Sequence, residues 1–123
     1  MEYSTFGRHI IVDMWGIDTA LLNDCEFLQQ HLVMAANMCG ATILSVDSRT
    51  FEPSGVTILV LLSESHISIH TYPEKRFAAI DCYTCGTKVD PQQAIDYILP
   101  IFKPKQLHIK RLIRGLGEIT VIN

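Results

Sequence analysis

Serines, histidines and carboxylates crowd one short stretch of this chain, Ser63-Glu64-Ser65-His66-Ile67-Ser68-Ile69-His70-Thr71-Tyr72-Pro73-Glu74. A second group, Asp81-Cys82-Tyr83-Thr84-Cys85-Gly86, follows at hairpin distance. The isoleucines between the polar residues place the first stretch in a sheet, where a polar group costs free energy unless it is hydrogen-bonded or put to use. Three kinds of chemistry are on offer. A hydroxyl at Ser65, held against the carbonyl of Glu64, can attack it where the fold strains that peptide. A neutral imidazole at His70 is a suitable base near neutral pH. A thiol at Cys85 has a tunable pKa and can deliver a proton. Strand periodicity puts His66, Ser68 and His70 on one face and Ile67 and Ile69 on the other.

Cys82 and Cys85 also invite a reading as a redox or zinc pair. Residues three apart on a strand point to opposite faces, which argues against it. A zinc site needs further ligands at short spacing, and Cys25 and Cys39 sit in a helical pattern instead. No metal centre is expected. His9, His31 and His108 stand singly and read as structural or solvent-facing.

The elements that must hold these groups follow from punctuation and period. Residues 9–15 read as a strand rich in Ile and Val. Asn23 is a candidate cap for a helix running to about residue 39, with Glu26 three residues on. Leu28, Leu32, Ala35 and Cys39 recur at helical spacing, and Gly40 is a fitting stop. Residues 42–51 and 56–63 read as strands around Pro53-Ser54-Gly55. Residues 66–71 and 77–85 read as a hairpin about residues 72–76. Asp90-Pro91 is a cap followed by proline at the first helical position, opening a helix to about residue 102. Residues 107–113 and 118–122 close the chain as strands. This order predicts an α+β domain spanning 1–123, a two-layer sandwich of one mostly antiparallel sheet with two helices on one face. Strand 56–62 is apolar on both sides, so the other sheet face needs a cover, and a second subunit is the candidate.

Composition bounds the function. The chain has 123 residues, 48% apolar and 19% charged, with a net charge of −3. A core of this size folds without disulfides or metal. The charge gives no reason to expect nucleic acid or an anionic membrane as partner. The opening residues carry no basic start followed by an apolar stretch, and no apolar run approaches the length of a membrane span. A cytoplasmic location with reduced thiols is the expectation.

The two chemical stretches together resemble the pyruvoyl-dependent S-adenosylmethionine decarboxylases in their short prokaryotic form. The resemblance rests on Ser63-Glu64-Ser65-His66, Ile69-His70-Thr71-Tyr72-Pro73-Glu74 and Thr84-Cys85-Gly86, and it spans nearly the whole chain. Gly7-Arg8-His9 with Trp15-Gly16 is similar to the family's opening, Leu22-Asn23-Asp24 to its helix start, and Arg114-Gly115-Leu116-Gly117 to its late turn. The resemblance implies that Ser65 is consumed to make the cofactor. After the acyl shift from nitrogen to oxygen, loss of the Ser65 Cα proton expels the Glu64 carboxylate, and the remaining dehydroalanine hydrolyses to a pyruvoyl group and ammonia. A chain of residues 1–64 and a pyruvoyl-started chain of residues 65–123 result. The pyruvoyl group would form a Schiff base with the substrate amine and act as electron sink during decarboxylation. His70 maps to the processing base, Cys85 to the proton donor, and Thr57 to a hydroxyl that helps processing. Phe51 and Tyr72 map to aromatics that sandwich adenine, where a sulfonium gains cation–π attraction. Glu74 maps to the acid that binds ribose. The product would serve as aminopropyl donor for spermidine synthesis, and the enzyme is expected as a dimer of processed protomers, paired sheet to sheet or edge to edge. Lys75-Arg76, Glu52, Ser54 and Ile58 depart from the family pattern at the nucleoside end. They leave a second reading, a pyruvoyl-dependent decarboxylase of a basic amino acid such as arginine or ornithine. A third is a non-catalytic, unprocessed homologue.

Overall fold

The alternation of apolar residues decides the architecture. Ile10, Val12 and Met14 on one strand, Ile58, Val60 and Leu62 on another, Ile67 and Ile69 on a third, and Ala78, Ile80 and Cys82 on a fourth are all buried. All of them lie on the same face of one sheet. Against it pack the apolar stripes of two helices, with Leu28, Leu32 and Ala35 from one and Ile95, Ile98 and Phe102 from the other. The computed structural model describes residues 5–123, so the expectation of no signal peptide at the opening of the chain falls in part outside the described residues.

The chain runs β1 (Gly7–Trp15), α1 (Thr19–Leu22), α2 (Cys25–Met38), β2 (Ile43–Thr50), β3 (Val56–Leu62), β4 (Ser65–Tyr72), a 3-10 turn (Pro73–Lys75), β5 (Phe77–Cys85), α3 (Pro91–Phe102), β6 (Gln106–Arg114) and β7 (Thr120–Val121). The sheet has seven strands in the order β2-β3-β4-β5-β1-β6-β7, and every pairing is antiparallel. The expected two-layer α+β arrangement is present. α1 is a one-turn addition to the two helices the sequence predicts, and the last strand covers two residues rather than five.

The start of α2 corrects the sequence reading. Asp24, not Asn23, caps it, accepting from the Phe27 amide at 3.1 Å. Asn23 turns away, and its Oδ1 accepts from the Gly55 amide at 3.1 Å. It thereby ties the 51–55 turn to the helical layer. Thr71, buried on β4, strengthens that tie by donating to the Leu22 carbonyl at 2.7 Å and accepting from the Val56 amide at 2.9 Å. No helix among the described residues is long and apolar enough to cross a membrane.

Among the described residues, the opposite face of the sheet carries no layer. Ile11, Leu59, Leu61 and Trp15 are exposed there. One polar network interrupts it. Asp81 accepts a short hydrogen bond from Ser68 and one from His9 Nε2 at 3.1 Å, and His66 Nε2 lies 3.5 Å from the same carboxylate. Arg114 donates to His9 Nδ1 at 3.2 Å and lies over the Tyr83 ring at 4.6 Å. His9, His66 and Asp81 are close enough to suggest a metal triad. The Arg114 donor argues otherwise: it fixes His9 Nδ1 as acceptor and leaves the proton on Nε2, the atom a metal would need.

Burial disfavours the charged form of Asp81, but the His9 and Ser68 hydrogen bonds and the nearby histidines outweigh it and pull its pKa down to about 2. A depressed carboxylate contributes stability above its unfolded pKa and loses it as pH falls through the folded one. Urea midpoints should therefore show Asp81→Asn less stable than wild type at pH 5, with the gap closing between pH 4 and pH 2. A gap independent of pH would refute the assignment. Leu32→Ala, in the helix–sheet core, should cost about 2–5 kcal/mol in the same urea measurement.

Candidate active site

The β3–β4 turn is held from three sides. The Ser63 amide donates to the Thr42 carbonyl at 2.8 Å, the Thr42 amide donates to the Glu64 carboxylate at 3.1 Å, and the Cys85 amide donates to the Glu64 carbonyl at 2.8 Å. Within this clamp Ser65 has φ 150°, a conformation that non-glycine residues rarely adopt. Residues held this way cluster at reactive sites because the surroundings over-determine them. The Glu64–Ser65 peptide thus combines a strained residue with a carbonyl already engaged by an amide donor. In register across from Ser65 is Thr84, wholly buried, whose Oγ1 has no protein hydrogen-bond partner among the described residues. These residues fit a self-made pyruvoyl group at position 65, which would begin a chain beside Thr84 and Cys85.

Cys85 lies half-exposed at the end of β5, on the face opposite the helices, while Cys82 faces the core and is fully buried. Burial pushes the Cys82 thiol far up, so it stays protonated. The two point to opposite sides, as the spacing predicts, and they cannot act as one pair. The Tyr83 hydroxyl has its pKa raised by desolvation and by the neighbouring Cys85 thiol. Tyr83 in turn belongs to the Arg114–His9–Asp81–His66 network, since its ring is 5.1 Å from His9 and 6.1 Å from His66.

The other predicted residues gather elsewhere. Phe51, Thr57, His70, Tyr72 and Glu74 line one cleft of about 340 Å³, together with Ser54, Gly55 and Thr71. That volume lies in the usual range for a small-molecule site. Thr57 and His70 are cross-strand partners, and Thr57 Oγ1 lies 3.0 Å from His70 Nδ1. Ser54 donates to Glu74 Oε2 at 3.2 Å, holding that carboxylate at the cleft rim. Tyr72 is supported from behind by Phe77, which stacks in turn on Trp15, with centroid separations of 5.7 and 4.2 Å. The two cations that follow Glu74 do not neutralise it. Arg76 takes a left-handed conformation and sends Nε to the Ile17 carbonyl at 3.0 Å, while the Ile17 amide donates to the Arg76 carbonyl at 3.1 Å. Lys75 is exposed.

A single chain therefore does not assemble all the predicted residues. Ser65 and His70 lie at opposite ends of β4, five residues apart, or roughly 16 Å along an extended strand. Ser65, Glu64 and Cys85 form one cluster. Thr57 and His70, with Phe51, Tyr72 and Glu74, form another. Sequence reasoning missed the His9–Asp81–Arg114 network. His9 is isolated in sequence, and only the β1–β5 and β1–β6 registers bring its partners to it.

Comparison with known proteins agrees with this geometry. A family model described as S-adenosylmethionine decarboxylase matches residues 8–115. The chain is 69% identical over 120 residues to an S-adenosylmethionine decarboxylase proenzyme 2 of Bacillus cereus, covering 98% of each. It is 62% identical over 122 residues to the S-adenosylmethionine decarboxylase proenzyme of Brevibacillus brevis, covering 99% of this chain and 92% of that one. Its fold superimposes on the crystal structure of the adenosylmethionine decarboxylase from Aquifex aeolicus with a TM-score of 0.86 and 37% identity, covering 94% of this chain and 95% of that chain. A Trypanosoma brucei AdoMetDC monomer, at 16% identity and a TM-score of 0.60, shares the fold across 86% of this chain and 45% of its own. The strained serine, the clamped carbonyl, the two clusters and these matches agree: the chain belongs to the S-adenosylmethionine decarboxylase family.

Proposed function

We propose that this protein decarboxylates S-adenosylmethionine after cutting itself between Glu64 and Ser65 into chains of residues 1–64 and 65–123. The observation that carries the proposal is the Glu64–Ser65 peptide, with Ser65 at φ 150° and the Glu64 carbonyl bonded to the Cys85 amide. An amide proton aimed at that oxygen stabilises the negative charge that develops there as the Ser65 hydroxyl adds to the carbonyl carbon. His70, oriented by Thr57, serves as base for removal of the Ser65 Cα proton. The pyruvoyl group formed at residue 65 supplies an electron sink for the substrate Cα as carbon dioxide leaves. The Cys85 thiol, beside the Tyr83 hydroxyl, returns a proton to that carbon. Such proton delivery needs a reduced thiol, consistent with a cytoplasmic enzyme.

The cleft selects the substrate. Phe51 and Tyr72, each about half exposed at 49% and 48%, present ring faces for adenine and for the sulfonium charge. Glu74, held through one oxygen by Ser54, keeps the other free for ribose hydroxyls. Arg76 is committed to the Ile17 carbonyl and does not compete for Glu74. A nucleoside sulfonium fits this arrangement better than arginine or ornithine, which offer nothing for two aromatic faces and a ribose-binding acid.

The separation of the two clusters bears on assembly. A second protomer, docked outer face to outer face about a twofold axis, would lay the His70 cluster of each copy against the Ser65 cluster of the other. It would also cover Ile11, Leu59 and Leu61, three large apolar side chains 40–50% exposed in the single chain. Each active site would then be built from both copies.

Three measurements test this. Intact mass under denaturing, reducing conditions should give two chains split after Glu64, the second carrying pyruvoyl in place of serine, and Ser65→Ala should remain whole. A full-length wild-type chain would sink the proposal. The cleaved enzyme should release carbon dioxide from S-adenosylmethionine and at least roughly 100-fold less from arginine or ornithine, and preference for either amino acid would overturn the substrate assignment. Ser65→Ala and His70→Ala, each uncleaved alone, should restore cleavage of the His70→Ala chain when coexpressed. No cleavage in the mixture would mean that His70 serves its own chain.

A further inference from the structure

Two buried side-chain polar atoms lack a hydrogen-bond partner among the described residues, Arg8 Nε and Thr84 Oγ1. The guanidinium of Arg8 is engaged through another nitrogen, which donates to the Val89 carbonyl. Thr84 has no such outlet. It is 0% exposed, and valine would fill the same space without a stranded hydroxyl. A group that destabilises the resting fold asks what it meets when the fold does its chemistry.

Thr84 lies across from Ser65 in the β4–β5 register. The bond from the Cys85 amide to the Glu64 carbonyl joins the residues flanking this pair. In an antiparallel ladder that makes 65/84 a non-hydrogen-bonded pair, the kind whose Cα atoms are about 4.5 Å apart and whose side chains come closest. Alternation from Ile80 and Cys82 on β5 puts the Thr84 side chain on the helix side, while the φ of 150° takes Ser65 out of that regular alternation directly opposite it. Hydroxyls on such a pair reach hydrogen-bond distance by rotation about one side-chain torsion.

We infer that Thr84 is a positioning residue of self-cleavage: its Oγ1 accepts a hydrogen bond from the Ser65 hydroxyl as that hydroxyl turns toward the Glu64 carbonyl carbon. This rests on the reading of Ser65 as the cleavage serine. In the acyl shift the bond from Ser65 Oγ to the Glu64 carbonyl carbon forms and the bond from that carbon to the Ser65 nitrogen breaks. Oγ gives up its proton and the nitrogen gains one. Thr84 keeps its own proton throughout and fixes the direction of the attacking lone pair.

The test is the rate of cleavage, followed by intact mass, for wild type, Thr84→Val and Thr84→Ser. Melting of the same changes in the uncleavable Ser65→Ala background reads the structural effect separately. The inference expects Thr84→Val to slow cleavage at least tenfold, Thr84→Ser to restore most of the rate, and the valine precursor to melt no lower than its parent. Thr84→Val cleaving at the wild-type rate would overturn it, because the hydroxyl would then be merely structural. If the valine variant melts lower, Thr84→Ala compared with Thr84→Ser decides: a slow alanine variant beside a fast serine variant supports the inference, and equal rates overturn it. Failure of wild type to cleave would sink the broader reading and this inference with it, whereas a wild type that cleaves beside an equally fast Thr84→Val overturns this inference alone.

Discussion

The hydrogen bond from the Cys85 amide to the Glu64 carbonyl organises the rest of the site. It fixes the position of that carbonyl on the sheet edge of the β3–β4 turn. It places Cys85 within one strand spacing of Ser65. It determines which kind of ladder pair Ser65 and Thr84 make, and so how close their side chains come. The bond would be an ordinary ladder contact if Ser65 had extended backbone. With Ser65 at φ 150° the strand begins on a residue that resists its own conformation, and the carbonyl before it is held where an addition would develop charge. Strain and stabilisation act on neighbouring atoms of one peptide, which is what a self-cleaving chain requires of its fold.

Much of this was legible in the chain because it is local. Alternation in β3, β4 and β5 assigns the core face and the outer face residue by residue, and the structure follows it through Ile67, Ile69, Ile80 and Cys82. The Asp90-Pro91 start of α3 is equally local, since the cap and the proline are the same few residues. At α2 the local pattern pointed to Asn23 as the cap, and the structure moved the cap by one residue. Asn23 was drawn away by the Gly55 amide, a partner thirty-two residues distant, and Asp24 took the position. The His9–Asp81 network escaped for the same reason: its members lie on four strands, and their meeting depends on registers that no local pattern states. The resemblance supplied the cluster members but not their partition. Strand rise alone puts Ser65 and His70 on opposite ends of β4.

In the proposed pairing of two copies, that partition gives the bare outer face a purpose. A small domain with one helical layer leaves the second face of its sheet to be covered or charged. Here the face is mixed: leucine and isoleucine on β1 and β3, and a charge network across β4, β5, β1 and β6. A purely apolar face would hold two copies together without fixing their register. A network in which Arg114, His9, Asp81, Ser68 and Tyr83 satisfy one another within each chain can be buried with less penalty for unpaired charge. It also leaves Cys85 beside a tyrosine whose position is set by that network. The polar cluster thus links two requirements the fold must meet together, a face that can be covered and a thiol that is held in place.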